Sequence, residues 1–174
     1  MTIHQTPQPG DIGLTNVLGP VGWGIRLGER LDGATGNTSR YEHAFLVLQA
    51  GMLIEAQPGG AVVRPLSDYA GRDVLYVSPD GLTDGQRPAI CAAGLRYVGV
   101  GYSAVEYFAL AAHRFHLPIP GLRRYVASSR RMICSQLVDQ AFQDAGVHLF
   151  RDGRWPGFVT PADLAALLGR EAQQ

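Results

Sequence analysis

The chain has 174 residues, 46% hydrophobic and 17% charged, and its fifteen basic side chains balance fifteen acidic ones. That length and composition describe one folded domain spanning 1–174 and exclude a disordered chain. A formal net charge of zero gives no broad field to gather nucleic acid or an anionic membrane surface.

All fifteen basic residues are Arg, which removes lysine Schiff-base chemistry. No apolar run approaches the roughly 20 residues of a membrane-spanning helix, so no stable membrane insertion is expected. The opening segment MTIHQTPQPG lacks a basic stretch followed by an apolar one, so no secretory signal is expected. Two cysteines are too few for a disulfide scaffold, and a reducing, cytoplasmic setting is the expectation.

Strands come first along the chain. Asp11–Thr15 is a short apolar run after Pro9-Gly10. Val21–Leu31 has weak helical character, interrupted by Gly22, Gly24 and Gly28. His43–Leu48 and Met52–Gln57 flank Gln49-Ala50-Gly51, and Ala61–Pro65 and Val74–Val77 add two more strands, with Gly and Pro marking the turns. Helices follow over Asp84–Tyr97, Ala104–Phe115 and Cys134–Ala145. In the third, Leu137, Val138, Ala141 and Phe142 recur at helical spacing and Gly146 closes the element. Leu117–Arg131 reads as a loop, mobile or covering a site. A last helix starts at Thr160, with Thr160 as N-cap, Pro161 in the first position and Asp163 in the first turn. Strands followed by helices predict an α+β fold with a mostly antiparallel sheet.

Cys134 opens an amphipathic helix. A thiol there feels the positive end of the helix dipole and unpaired N–H groups, which lower its pKa below the free value of about 8.5. The same N–H groups can hold an oxyanion. The competing reading is a small buried apolar residue, common for cysteine. Cys91, among Ile90, Ala92 and Ala93 inside a helix, is structural on this reading.

His43 opens the most apolar strand, where a histidine satisfied within the core is the competing reading. A three-residue loop ending in a left-handed Gly51 sets Leu48 opposite Met52, Phe45 opposite Glu55 and His43 opposite Gln57. His43, Phe45, Glu55 and Gln57 then share one face. Glu55 stands diagonal to His43, about 7 Å away between backbones, near enough to accept the imidazole N–H and fix its tautomer. A two-residue loop would turn Glu55 to the other face. Gln57 is the second candidate for orienting the imidazole, weaker because a neutral amide stabilises imidazolium less than a carboxylate does.

Five segments resemble one superfamily in order and spacing. They are Gly10-Asp11-Ile12-Gly13-Leu14, Tyr41-Glu42-His43-Ala44-Phe45-Leu46-Val47, Leu53-Ile54-Glu55-Ala56, Ile133-Cys134-Ser135-Gln136-Leu137-Val138 and Val159-Thr160-Pro161-Ala162-Asp163-Leu164. Together they look like the permuted branch of the NlpC/P60 papain-like superfamily, which includes lecithin:retinol acyltransferase-like proteins and bacterial permuted papain-like amidases. The order of His, polar residue and Cys is that of the permuted branch. The resemblance implies a small antiparallel β-barrel packed against a helix bundle. It further implies Cys134 as nucleophile, His43 as base and Glu55 as the third residue. The chemistry implied is that of amides, esters or thioesters, on a small peptide or acyl substrate, with no cofactor. Residues Leu82–Arg131 depart from the pattern, and substrate choice is expected there.

Gly99-Val100-Gly101-Tyr102 joins two expected helices; it follows no strand and lacks a Lys, so it is not a nucleotide loop. Tyr102 is a candidate substrate-contact residue, with simple packing as the alternative. His113 and His116 lack a third ligand at suitable spacing, and no metal site is expected. Arg123, Arg124, Arg130 and Arg131 form a solvated face or favour a thiolate or an acidic substrate. Trp155-Pro156-Gly157-Phe158 packs a turn or rims a cleft. The leading expectation is a thiol hydrolase that cleaves an amide bond of a cell-wall-type peptide through an acyl-enzyme. Its rivals are acyl transfer from a lipid ester and a non-catalytic binding module on the same scaffold.

Overall fold

A computed structural model describes residues 2–4, 6–16, 41, 43–57, 59–102, 131–151 and 159–171. Six strands form one antiparallel sheet: β1 (Thr2–His4), β2 (Ile12–Thr15), β3 (His43–Val47), β4 (Met52–Gln57), β5 (Gly60–Pro65) and β6 (Val74–Ser78). Their order across the sheet is β1-β6-β2-β3-β4-β5. Among the described residues three helices follow: α1 (Gln86–Leu95), α2 (Cys134–Asp144) and α3 (Pro161–Glu171). A short parallel pair, β7 (Gly101–Tyr102) and β8 (Arg131–Met132), lies between α1 and α2 in sequence. The class is α+β, as the run of strands before helices predicts. The sheet ends at β1 and β5 and does not close on itself among the described residues.

The β3–β4 hairpin sets the rest. Its pairs are Leu46↔Ile54 and Val47↔Leu53. The Leu48 N–H donates to the Met52 carbonyl at 2.8 Å, and the Met52 N–H to the Gln49 carbonyl at 3.2 Å. This is the register of a three-residue connection. Two loop residues are left-handed rather than the expected one, Ala50 at φ 55° and Gly51 at φ 68°. They make a tight turn, and Gln49 is the extra residue that keeps the count at three.

Period-2 alternation then sorts side chains onto two faces. Ala44, Leu46, Leu48, Ile54 and Ala56 enter the main core with α1, α2 and α3. Phe45, Val47 and Leu53 point the other way and pack with Tyr69 in a smaller cluster. Helix α2 supplies Leu137, Val138, Ala141 and Phe142 to the main core, all fully buried, and lies across β3 and β4. Leu137, Val138 and Phe142 each contribute about 1.5–3 kcal/mol of burial. Gly146 (φ 76°) ends α2, with its N–H on the Gln143 carbonyl at 2.9 Å. Thr160 caps α3: its Oγ1 accepts the Asp163 N–H at 3.1 Å, and Asp163 Oδ2 accepts the Thr160 N–H at 2.9 Å.

The start of β2 is fixed by a buried ion pair. Arg87 of α1 donates from Nη1 to Asp11 Oδ1 at 2.9 Å and to the Pro9 carbonyl at 2.8 Å. Two elements are absent from the sequence reading. One is β1, whose three residues pair with β6. The other is the 3-10 turn Leu66–Tyr69 after β5. The β7–β8 pair also replaces the expected helix-to-helix turn at Gly101-Tyr102. The expected helices at Val21–Leu31 and Ala104–Phe115, most of the Leu117–Arg131 loop, and Trp155–Phe158 lie outside the described residues.

Gly13 is required by packing. A Cβ built there would lie 2.2 Å from two ring atoms of Phe45, which is fully buried. Phe45 is held from its other sides by Tyr69 at 4.6 Å and Tyr76 at 6.3 Å between ring centroids. Gly13→Ala is expected to destabilise the protein by about 1–3 kcal/mol, read as a lower urea midpoint at an unchanged slope. An unchanged midpoint would show that the Phe45 ring has room to move.

Candidate active site

Cys134 stands at the first position of α2. The residue before it, Ile133, is extended (φ −90°, ψ 167°), and its N–H is taken by Gln136 Oε1 at 3.0 Å. Isoleucine offers no polar atom to cap the helix, so first-turn N–H groups remain for other acceptors. The backbone N–H groups of Ser135 and of Ala44 on β3 lie near enough to the Cys134 sulfur to lower its pKa. The Ser135 hydroxyl donates to the Val159 carbonyl at 2.7 Å and fastens this helix end to the segment preceding α3. The thiol is 6% exposed.

His43 stands at the first position of β3. The β2–β3 ladder continues to Thr15↔His43, whereas the β3–β4 pairs are Leu46↔Ile54 and Val47↔Leu53. The Cys134 thiol stands near that same end, where the Ala44 N–H helps to lower its pKa. The imidazole Nε2 lies 2.6 Å from Glu55 Oε2 and donates to it. Cys134 acts on the same imidazole both as a hydrogen-bonding group and as a charge, and Nδ1 is the ring nitrogen not engaged by Glu55. Glu55 is 3% exposed. Its Oε2 accepts a second short bond, from the Tyr69 hydroxyl at 2.6 Å. On the outer side, Arg64 Nη1 lies 3.7 Å from Glu55 Oε1 while its other nitrogens bind Asp68 Oδ2 at 2.7 and 2.9 Å.

These contacts decide the charge states. Burial works against an imidazolium, but hydrogen bonds and charges from Cys134 and Glu55 outweigh it and raise His43 from 6.5 to about 10. Burial pushes the Cys134 thiol up, yet His43 and the two backbone N–H groups bring it below its ordinary value. Burial likewise opposes ionisation of Glu55, and the His43 and Tyr69 hydrogen bonds, followed by the charges of His43 and Arg64, hold it below the usual carboxylate value. The three groups stand in one row, and their shifts all favour movement of the thiol proton to the imidazole beside an ionised Glu55. Cys91 provides the contrast. Burial raises its pKa, and its thiol donates to the Val47 carbonyl at 3.6 Å.

The structure thus brings Cys134, His43 and Glu55 together. Gln57 lies farther along β4, paired with Gly60, and Glu55 is the residue on Nε2. Tyr102 stands in register with Met132, just upstream of Cys134, which brings its backbone close to the start of α2. His113, His116, Arg123, Arg124 and Arg130 lie outside the described residues. Among the described residues, no group of three or more His, Cys, Asp or Glu is placed to hold a metal, and no helix is long and apolar enough to cross a membrane. The sequence reading missed Tyr69 and Arg64. Arg64 was accessible through the β4–β5 turn at Gly59, which sets Leu53 opposite Arg64 and so places Arg64 on the Glu55 face. Tyr69 had no such signal, because it belongs to a turn outside the strand pattern.

No family model, curated protein or solved structure matches the chain.

The Glu55 contacts carry a stability signature. A carboxylate whose folded pKa is lowered stabilises the fold fully above its ordinary value of 4.5, and that stabilisation is lost as pH falls through the lowered value. Glu55→Gln is expected to cost about 3 kcal/mol at neutral pH, at the low end for breaking a buried pair. The gap between wild type and variant should close as pH drops below 4.5. Urea unfolding across an acidic pH series measures it. A gap independent of pH would mean that Glu55 carries no charge in the folded protein.

Proposed function

We propose that the protein is a cysteine hydrolase that cleaves an amide bond through an acyl-enzyme. Cys134 is the nucleophile, His43 the general base and then acid, and Glu55 the carboxylate that orients the imidazole. One observation carries this reading: a single buried imidazole joins a helix-tip sulfur to a carboxylate 2.6 Å away. A structural histidine needs neither a thiol nor a raised basicity; an activated nucleophile needs both.

The chemistry follows from the charges. The imidazole takes the thiol proton, and the thiolate attacks the carbonyl carbon to form a tetrahedral oxyanion. N–H groups in the first turn of α2 are the nearest fixed donors for that charge. The imidazolium gives its proton to the leaving nitrogen as the C–N bond breaks, and a thioester to Cys134 remains. Water, deprotonated by His43, attacks the thioester and releases the acid and the free thiol. Glu55 stays ionised throughout and stabilises the imidazolium each time it forms.

The likeness to the permuted NlpC/P60 branch supplies the substrate class, a short peptide of the cell-wall kind. On that reading the six-stranded sheet is the barrel layer of a permuted papain-like domain, and α2 is its nucleophile helix. Base and carboxylate on early strands, followed by the sulfur on a late helix, support the permuted order.

Alkylation of Cys134 by iodoacetamide tests the proposal in a Cys91→Ala background. Its rate should follow an apparent pKa below the free-thiol value of about 8.5. His43→Ala should return that value to the ordinary range and cut hydrolysis of a cell-wall peptide by about 10³-fold or more. Mass spectrometry of the quenched reaction should find the acyl group on Cys134. An ordinary thiol pKa in both proteins overturns the hydrolase and leaves a binding module. Turnover of lipid esters in place of peptides would redirect the chemistry to acyl transfer.

A further inference from the structure

We propose that Tyr69 is a positioning residue of this centre: its hydroxyl, bonded to the same Glu55 oxygen as the imidazole, holds that carboxylate turned toward His43 as a charged acceptor. The inference rests on the hydrolase reading above and adds a fourth member to its row of residues.

A carboxylate oxygen has two lone-pair directions, and Glu55 Oε2 uses one for His43 Nε2 and the other for Tyr69 Oη, each at 2.6 Å. The second carboxylate oxygen is served differently. Arg64 stands 3.7 Å from it, beyond hydrogen-bond length, and is committed to Asp68. The short second donor is therefore neutral, and that is chemically useful. A cation on Oε2 would also keep Glu55 ionised, but it would repel the imidazolium beside it. A hydroxyl supports the carboxylate without that penalty.

The hydroxyl is held in place from all sides. Tyr69 ends the 3-10 turn Leu66–Tyr69, and the Leu66 N–H donates to the Gly51 carbonyl at 2.8 Å. Its ring packs 4.6 Å from Phe45, lies nearly parallel to the His43 ring (10°, 6.5 Å), and carries the Arg72 guanidinium 4.9 Å from its centroid. The charged or titratable groups around Glu55 are thus His43 from β3, with Cys134 of α2 behind it, Arg64 from β5 with Asp68, and Tyr69 with Arg72. Of these, Tyr69 alone touches the oxygen that orients the imidazole without itself bearing charge.

Tyr69→Phe removes only the hydroxyl and keeps the ring contacts. With the hydroxyl gone, Glu55 is no longer held turned toward the imidazolium, and the thiolate loses part of its support. The apparent pKa of Cys134 alkylation should rise by about 0.5–1 unit, which lowers the alkylation rate near pH 6 about three- to tenfold. In peptide hydrolysis, kcat should fall and the acidic limb of the kcat/KM profile should move up, with KM little changed. Tyr76→Phe, whose ring also packs on Phe45 but whose hydroxyl is not on Glu55, should leave the profile in place. An unmoved profile in a folded Tyr69→Phe protein, beside a wild type whose low thiol pKa depends on His43, overturns the role of Tyr69 and spares the hydrolase. A wild type with an ordinary thiol pKa overturns both. If Tyr69→Phe fails to fold, NMR of the wild type decides. A slowly exchanging tyrosine hydroxyl proton close to the His43 ring supports the proposal, and a freely exchanging one rejects it.

Discussion

A carboxylate removed from water must have its charge met, and Glu55 has very little water. Imidazolium and phenol meet at one of its oxygens, and a guanidinium stands near the other. Burying such a group costs several kcal/mol unless its partners are well aligned. The protein accepts that cost in the interior of β4, among apolar neighbours. In return, the imidazole is held in one orientation, with its far nitrogen committed and its near nitrogen turned to sulfur. The raised basicity of His43 and the lowered pKa of Cys134 are two descriptions of that one arrangement.

The fold separates the stabilising core from this polar row by the pleat of the sheet. Alternate residues of β3 and β4 enter the helix-covered core, and those between them build the small aromatic cluster around Phe45 and Tyr69. Helix α2 belongs to the first face, and its first residue, Cys134, stands close enough to the start of β3 for the Ala44 N–H to lower its pKa. Leu137, Val138, Ala141 and Phe142 fix the helix to the sheet, so the position of the sulfur is set by apolar packing along the rest of α2. The aromatic cluster does the same for the other end of the row. Gly13 leaves space for Phe45, Phe45 backs Tyr69, and Tyr69 reaches Glu55.

What the sequence made legible was local. Gly51 and the spacing of apolar residues predict the hairpin register, and the register alone places Glu55 on the face of His43. The helix start at Cys134, the Gly146 stop and the Thr160–Asp163 cap follow from residue type and position. What escaped notice depends on contacts made across the fold. Tyr69 sits in a turn with no periodicity, and its role exists only because β5 returns it to β4. Strand β1 is too short and too polar to show alternation, and its partner β6 is distant in sequence. The β7–β8 pair joins segments far apart in sequence, and two-residue strands leave no pattern to read.

The tip of the β3–β4 hairpin has an asymmetric tolerance. Gln49, Ala50 and Gly51 are exposed, and both strands are pinned on their outer sides by β2 and β5. Extra residues inserted at the tip would bulge into solvent and leave the strands where they are. Loss of a single residue has no such outlet. The tip would shorten only by sliding one strand along the other, and every side chain on the displaced strand would change sides. The loop can lengthen across variants of this protein, but a deletion there would exchange Glu55 for Ile54 or Ala56 beside the imidazole.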